Sequence, residues 1–285
     1  MIVAHRDSAP TRGTSAHRPG GIGFITLLHG RPDDVDNFEL TISITTEEFF
    51  TPRHRHNFDQ VRYILEGEFS FDRGRVQRSG QISYFGEGTY YQQKGIGRTE
   101  TLLLQCAGAS GSAYMGFEQL YATSQRLAQK GKFEDGVYTW YDEHGTKHNV
   151  DGYQAVWEAV YGRKLVYPKP RYEGPVILNP EHFAWIPVAG SPGVLARELG
   201  RFHERGLTLT QARIDSGARY QVDGVPARNL AFVIEGEGQV NGEMLRKHSA
   251  VQIERGESHV IEATGTEPLL LLRYRMPCFD QAMAA

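Results

Sequence analysis

The sequence has few cysteines, no long apolar run and no surplus of positive charge. Its two cysteines, Cys106 and Cys278, are too few for a disulfide scaffold or a cysteine-rich zinc module, and they indicate a reducing compartment. No stretch approaches the ~20 apolar residues that cross a bilayer, and the N-terminal residues lack the apolar core of a signal peptide. Lys and Arg total 31 against 34 Asp and Glu, so no basic excess is available to bind a phosphate backbone. We therefore expect a cytoplasmic protein that binds neither nucleic acid nor membrane.

Glycine and proline, by contrast, are plentiful, with 32 and 13 among the 285 residues. Short apolar runs rich in Val, Ile, Phe and Tyr recur between them, which is typical of strands joined by turns. The middle of the chain instead contains two segments with helical spacing around a predicted hairpin at His144. The pattern predicts an all-β protein with a partly helical connector. The predicted segments are a loose arm at 1–19, a β-barrel at 20–107, the connector at 108–174 and a second β-barrel at 175–285.

The two β segments resemble each other in sequence. VRYILEGEF at 61–69 and LAFVIEGEG at 230–238 match with an offset of 169 residues, which aligns Gly67 with Gly236. An internal repeat of this length predicts a duplicated domain. The duplication also accounts for a chain longer than one compact core usually needs.

A pair of histidines precedes the first copy of this repeat. His54 and His56 are separated by one residue, so on a strand their side chains point to the same side, and Gln60 keeps that parity. Three donors therefore converge inside the predicted barrel. Imidazole and amide groups can bind a borderline divalent metal ion. The alternative is that the histidines form hydrogen bonds inside a binding barrel without a metal.

This spacing resembles the first signature of the cupin superfamily, in which His, His and an acidic residue precede a glycine. Gln60 stands here at the place of the acid and Gly67 at that of the glycine. The second signature is also matched in spacing, with Tyr91 where the superfamily has its last metal-binding histidine. The chain thus resembles a bicupin over roughly residues 20–107 and 195–276. The resemblance implies two cupin-type barrels of the double-stranded β-helix, or jelly-roll-like, kind.

The second copy of the signature has lost most of its metal-binding residues. Asp223, Val225 and Asn229 stand where the first copy has its two histidines and its glutamine, and His259 alone retains a histidine at a ligand position. One histidine cannot form a three-ligand site. We therefore predict that the second barrel is degenerate and structural.

By resemblance, the first barrel should hold one divalent transition metal ion, with Fe, Mn, Ni and Zn all open. The implied ligands are His54, His56 and Gln60, with Tyr91 as a fourth ligand, an acid/base group or a residue that lines the cavity. A donor set without a carboxylate leaves the ion strongly electrophilic, which favours an anionic substrate. Arg62 shares the parity of Gln60 and either orients that substrate or pairs with an acid at the barrel mouth.

The resemblance implies a metal-dependent enzyme that acts on a small anionic oxygenated compound. A dioxygenase is favoured over a lyase or an isomerase, with Arg62 and Tyr91 as the catalytic residues. A non-catalytic binding or sensing module stays open, because two of the four usual ligands are replaced. Bicupins commonly pair through their barrel edges, so we expect a homodimer.

Overall fold

The computed structural model describes residues 1–17 and 20–279, which form mainly antiparallel strands and confirm the all-β prediction. Contacts divide the chain into two units. We call Thr11–Ile177 the N-terminal unit. The C-terminal unit consists of Met1–Pro10 and the chain from Leu178 onward. No described helix is long and apolar enough to span a bilayer.

The elements up to the end of the N-terminal unit are, in chain order, β1 (Ile2–His5), β2 (Thr11–Arg12), β3 (Ile22–His29), β4 (Phe38–Thr45), β5 (Phe50–His54), β6 (Phe58–Glu66), β7 (Glu68–Asp72), β8 (Arg75–Arg78), β9 (Ile82–Phe85), β10 (Tyr91–Gly95), β11 (Thr99–Ala107), α1 (Phe117–Ala128), β12 (Gly131–Glu134), β13 (Val137–Tyr141), β14 (Lys147–Asp151), α2 (Gly152–Tyr161) and β15 (Val176–Leu178). The remaining elements are a 3-10 helix (Pro180–His182), β16 (Ile186–Pro187), β17 (Val194–Arg201), β18 (Thr208–Ile214), β19 (Arg219–Val222), β20 (Asn229–Glu235), β21 (Gly238–Val240), β22 (Glu243–Leu245), β23 (Ser249–Ile253), β24 (His259–Ala263) and β25 (Leu269–Arg275).

The two units repeat one strand order. The N-terminal unit has a seven-stranded sheet, β15-β9-β6-β11-β4-β3-β2, and a four-stranded sheet, β5-β10-β7-β8. The C-terminal unit has the sheets β1-β23-β20-β25-β18-β17-β16 and β19-β24-β21-β22. The run β9-β6-β11-β4-β3 corresponds strand by strand to β23-β20-β25-β18-β17. This correspondence is what a duplicated barrel requires.

The interiors of the two barrels differ in polarity. Strand β4 of the N-terminal unit alternates strictly: Phe38, Leu40 and Ile42 are fully buried on one face, while Glu39 and Ser43 line a cavity on the other. The C-terminal barrel instead contains a large apolar cluster, to which its strands contribute the buried side chains Val194, Ala212, Ile214, Val233, Val251, Ile261 and Leu271. The N-terminal barrel therefore has the polar interior that a binding site needs.

The predicted loose arm at residues 1–19 is not one segment in the structure. Ile2–His5 pairs antiparallel with β23 as the edge strand of the C-terminal unit, and Thr11–Arg12 pairs with β3 in the N-terminal unit. Strands of two to four residues are too short to show a hydrophobic period. Their stability comes from hydrogen bonds to distant strands, which no local pattern encodes.

The predicted connector at 108–174 contains both expected helices and the expected hairpin. The hairpin joins β13 to β14 through a turn in which the Gly145 amide donates to the Asp142 carbonyl at 2.9 Å. Helix α2 starts at Asp151, whose side chain accepts a hydrogen bond from the Gln154 amide at 3.0 Å. The whole segment belongs to the N-terminal unit rather than lying between two units. Its second helix contributes directly to the cavity described next.

Candidate functional site

A cavity of about 130 Å³ lies inside the N-terminal unit. Strands β4, β6 and β11 of the larger sheet supply one wall, and β10 of the smaller sheet supplies the opposite wall. Tyr153 reaches it from helix α2. A cavity of this size accepts a molecule about as large as benzene. The site is therefore built for a small compound.

His56, Gln60 and Tyr91 form a hydrogen-bonded cluster at this cavity. The Gln60 amide nitrogen donates to the Tyr91 hydroxyl at 2.9 Å and lies 3.0 Å from His56 Nδ1. The Tyr91 hydroxyl is 2.8 Å from the same His56 nitrogen. All three side chains are buried. Because the amide can only donate, His56 Nδ1 accepts and can take up a proton from the cluster.

Arg62 extends into the same cavity and is buried there, not at the barrel mouth. Its Nε donates to the Gln60 amide oxygen at 3.2 Å. With the Gln93 amide oxygen turned toward the guanidinium, Arg62 also donates to Gln93. The guanidinium carbon lies 4.3 Å from the Phe85 ring centroid and 5.3 Å from that of Tyr91. A permanent positive charge is thus held beside the His56–Tyr91 pair.

His54 adjoins the cluster without lining the cavity. Its Nδ1 lies 2.7 Å from the Pro52 carbonyl oxygen, which assigns the proton to Nδ1 and leaves Nε2 as an acceptor. The His54 ring centroid is 4.4 Å from that of Tyr91 and 4.9 Å from that of His56. The structure therefore brings together all four side chains that the sequence predicts as ligands.

The arrangement of these four side chains nevertheless fits a divalent cation poorly. Gln60 turns its amide nitrogen toward His56 and Tyr91, while its oxygen, the atom that could bind a metal, accepts from Arg62. The guanidinium adds a positive charge at the place where a metal site needs a negative one. Within the described ranges, no group of three or more His, Cys, Asp or Glu side chains could hold a metal ion. We therefore derive no chemical step through a metal.

Sequence reasoning missed a carboxyl group in the cavity. Glu39 on β4 accepts hydrogen bonds from the Tyr114 hydroxyl and from the Phe117 amide, both at 3.0 Å, and lies 3.6 Å from the Arg12 guanidinium. Burial raises the pKa of Glu39 above its ordinary value, although these donors and Arg12 oppose the shift. Burial likewise raises the pKa of Tyr114.

One signal in the sequence could have revealed Glu39. Polar residues occupy every second position of β4, at Glu39, Thr41, Ser43 and Thr45, and such an alternation marks one polar strand face. Tyr153 had no comparable signal. It comes from a helix after the barrel, and its ring lies 5.0 Å from that of His56. Only the docking of α2 makes it part of the site.

Among the described residues of the C-terminal unit, the corresponding place has no such cluster of His, Gln and Tyr side chains. His259 Nδ1 is 2.8 Å from the Asn241 amide nitrogen, and its Nε2 is 3.3 Å from the Glu257 carboxylate. The barrel interior beside it is packed with apolar side chains. The predicted structural role of this barrel agrees with that packing.

Comparison with known proteins gives likenesses in structure alone. No family model and no curated protein matches the chain. A proposed dioxygenase from Nostoc punctiforme superposes with a TM-score of 0.63 and 11% identity, over 99% of this chain and 84% of that one. Oxalate decarboxylase from Bacillus subtilis, a protein described as having Mn(II) centres, superposes with a TM-score of 0.56 and 12% identity, over 99% of this chain and 78% of that one. A protein from Geobacillus kaustophilus superposes with a TM-score of 0.55 and 12% identity, over 99% of this chain and 97% of that one.

These likenesses and the repeated strand order define a two-barrel β protein with a polar site in its first barrel. The chain shares the two-barrel fold of these neighbours, and this is the fold that the bicupin resemblance in the sequence implies.

Proposed function

We propose that the N-terminal barrel is the active site of an enzyme that moves a proton on a small anionic oxygenated compound. The observation that carries this proposal is the joint placement of His56, Tyr91 and Arg62 in one cavity, with Gln60 bonded to all three. A buried acid/base pair next to a fixed positive charge is an arrangement suited to enolate chemistry. The names of the structural neighbours, which include an oxalate decarboxylase, support an enzyme for small oxygenated compounds.

The proposed step needs only groups of this chain. His56 takes a proton from the carbon next to a carbonyl or carboxyl group of the compound. The electron pair of the broken C–H bond moves onto the carbonyl or carboxyl oxygen, where Arg62 stabilises the negative charge. Tyr91 donates its proton to the intermediate and recovers one from His56. Return of a proton to another atom gives an isomerase, whereas loss of a group from the neighbouring carbon gives a lyase.

The second candidate is the metal-dependent dioxygenase that the cupin resemblance favours. It is supported by His54, whose Nδ1 is held by a backbone carbonyl in the manner of many metal-ligating histidines. When bound, such a metal would supply redox and Lewis-acid chemistry. His54 and His56 would hold it, and Gln60 would have to turn its amide oxygen away from Arg62.

Proton exchange separates the two candidates. The purified chain is stripped of metal with a chelator, and deuterium uptake from D₂O into 2-oxobutyrate and related small enolisable carboxylates is followed by NMR. We expect uptake by the metal-free protein, with Tyr91→Phe and His56→Gln slower by about 100-fold. The matched control is His144→Gln, in a hairpin where this side chain is 81% exposed. Uptake only after addition of Fe or Mn, with one ion bound per chain, would favour the dioxygenase instead.

A further inference from the structure

The cavity has a positively charged side and a carboxyl side. Among the described residues that line it, Arg62 carries the one permanent charge and Glu39 is the one carboxyl group. Gln60 and Glu39 lie in register on the two strands that flank β11, with Gln105 between them. Two strand spacings place their α-carbons roughly 10 Å apart. Because the Arg62 head is bonded to Gln60, its charge lies beside β6, whereas the Glu39 carboxyl lies beside β4, two strands away along the same wall.

The carboxyl side favours an uncharged hydroxyl group. Arg12 lies 3.6 Å from Glu39 and already offsets its charge, so a cationic group of a ligand would be repelled by a second cation. Each carboxyl oxygen accepts one hydrogen bond, from Tyr114 or from the Phe117 amide, and keeps a further lone pair. A hydroxyl can donate to that lone pair without adding charge.

The space between the two sides favours a flat molecule. Its walls include the aromatic side chains of Phe24, Phe58, Phe117 and Tyr153. The Phe58 and Tyr153 rings are 5.7 Å apart and inclined at 63°, so they present both faces and edges to a ligand. The volume of about 130 Å³ leaves room for a single ring or a short unsaturated chain.

Resting on the proposed function, we infer that the substrate is a compact, largely flat monocarboxylic acid that has a C–H bond next to a carbonyl or carboxyl group and a hydroxyl group at the end opposite its carboxylate. The carboxylate binds Arg62, and the hydroxyl donates to Glu39, which is the residue that determines specificity. Tyr114 acts as a positioning residue, because its hydroxyl bond holds the Glu39 carboxyl in place. Glu39 thereby rejects acids of the same shape that lack the hydroxyl.

Calorimetric titration with matched probes tests the assignment on the wild-type chain. The probes are 4-hydroxybenzoate, benzoate, which lacks the hydroxyl, and phenol, which lacks the carboxylate. We expect 4-hydroxybenzoate to bind about tenfold or more tighter than benzoate, since a site built to accept a hydroxyl discriminates against its absence. Phenol should bind more weakly than either acid. Equal binding of the two acids, or binding of neither, would overturn the inference.

A substitution then ties the preference to Glu39. In Glu39→Gln one acceptor oxygen replaces two, so the preference for the hydroxyl should fall at least threefold while the affinity for benzoate stays within twofold. A merely structural role would weaken both acids equally and would contradict the assignment. Glu134→Gln, at a side chain that is 66% exposed, is the matched control. The proposed function has its own readout, deuterium uptake, so it survives if only the hydroxyl preference is absent.

Discussion

Gln60 controls the charge of the cavity. Its amide connects the acid/base pair of His56 and Tyr91 with the guanidinium of Arg62, donating on one side and accepting on the other. A carboxylate at this position would accept on both sides and add a negative charge. The neutral amide leaves the Arg62 charge available to attract an anionic compound. We therefore expect this one residue to decide whether the cavity favours an anion or a divalent metal ion.

We predict that Gln60→Glu strengthens the binding of divalent metal ions and weakens the binding of small carboxylates. The new carboxylate supplies the anionic ligand that the wild type lacks, so divalent metal ions should bind at least about tenfold more tightly. The same charge should weaken a small carboxylate by about tenfold, because it pairs with Arg62. Calorimetric titration of Mn²⁺ and then of benzoate measures both effects. A general loss of folding would weaken both ligands, so it could not produce this pattern. Unchanged metal affinity would show that residue 60 does not contact the metal.

At the scale of elements, two glycines that align in the sequence repeat, Gly67 and Gly236, determine the turn that joins one strand to the next. Gly67 follows β6 with φ 85°, and Gly236 follows β20 with φ 84°. A Cβ atom at Gly67 would lie 2.6 Å from the Arg98 carbonyl oxygen, and one at Gly236 would lie 2.5 Å from that of Pro268. The two copies thus share the backbone angle and the close approach to a neighbouring backbone. Both features exclude any residue with a side chain.

Replacing either glycine by alanine should therefore destabilise its barrel to a similar degree. We expect Gly67→Ala and Gly236→Ala each to lower the free energy of unfolding by about 2–4 kcal/mol, since backbone strain and a steric clash add up. Gly74→Ala is the matched control, because Gly74 has φ 71° but open space around its Cβ position. Gly74→Ala should lower the free energy of unfolding by about 1 kcal/mol. Denaturant unfolding measures the free energy of unfolding of all three variants. If Gly74→Ala lowered it as much as Gly67→Ala and Gly236→Ala do, the role of the steric clash would be contradicted.

At the scale of the whole molecule, the chain builds two barrels of one topology and uses them differently. The N-terminal barrel keeps polar side chains and a cavity inside, whereas the C-terminal barrel contains a large apolar cluster. The chain also starts in the second barrel, since β1 pairs with β23 and Val3 packs against the C-terminal core. The first residues of the sequence therefore stabilise the second barrel.

Hydrogen exchange of the full chain tests whether strand β1 stabilises the C-terminal barrel. Val3→Asp places a charge against the C-terminal core, so the β23 amides at Ser249–Ile253 should exchange at least about tenfold faster. Exchange in Ile82–Phe85, the corresponding strand of the N-terminal unit, should stay the same. Ile2→Asp is the matched control, because Ile2 is the neighbouring residue and is 51% exposed. Equal acceleration by both variants, or in both barrels, would contradict the assignment of β1.

The sequence by itself determined the features that depend on local pattern. Short apolar runs between frequent glycines predict the strands, helical spacing predicts α1 and α2, and the 169-residue offset predicts the duplicated barrel. His56 and Gln60 do meet, as the sequence predicts, but the predicted reason, shared parity along one strand, is wrong. His56 lies in the loop after β5, and Gln60 lies on β6 of the other sheet.

Only the tertiary structure decided which groups meet in the cavity. The orientation of the Gln60 amide depends on Arg62 and on Tyr91 from the opposite sheet, and this orientation opposes metal binding. Glu39 enters through strand register, and Tyr153 enters through the docking of a helix. Contacts of this kind join residues far apart in the chain, and their geometry follows from sheet register and packing. A local pattern cannot specify them, so the sequence could predict neither the orientation of the Gln60 amide nor the presence of Glu39 and Tyr153 in the cavity.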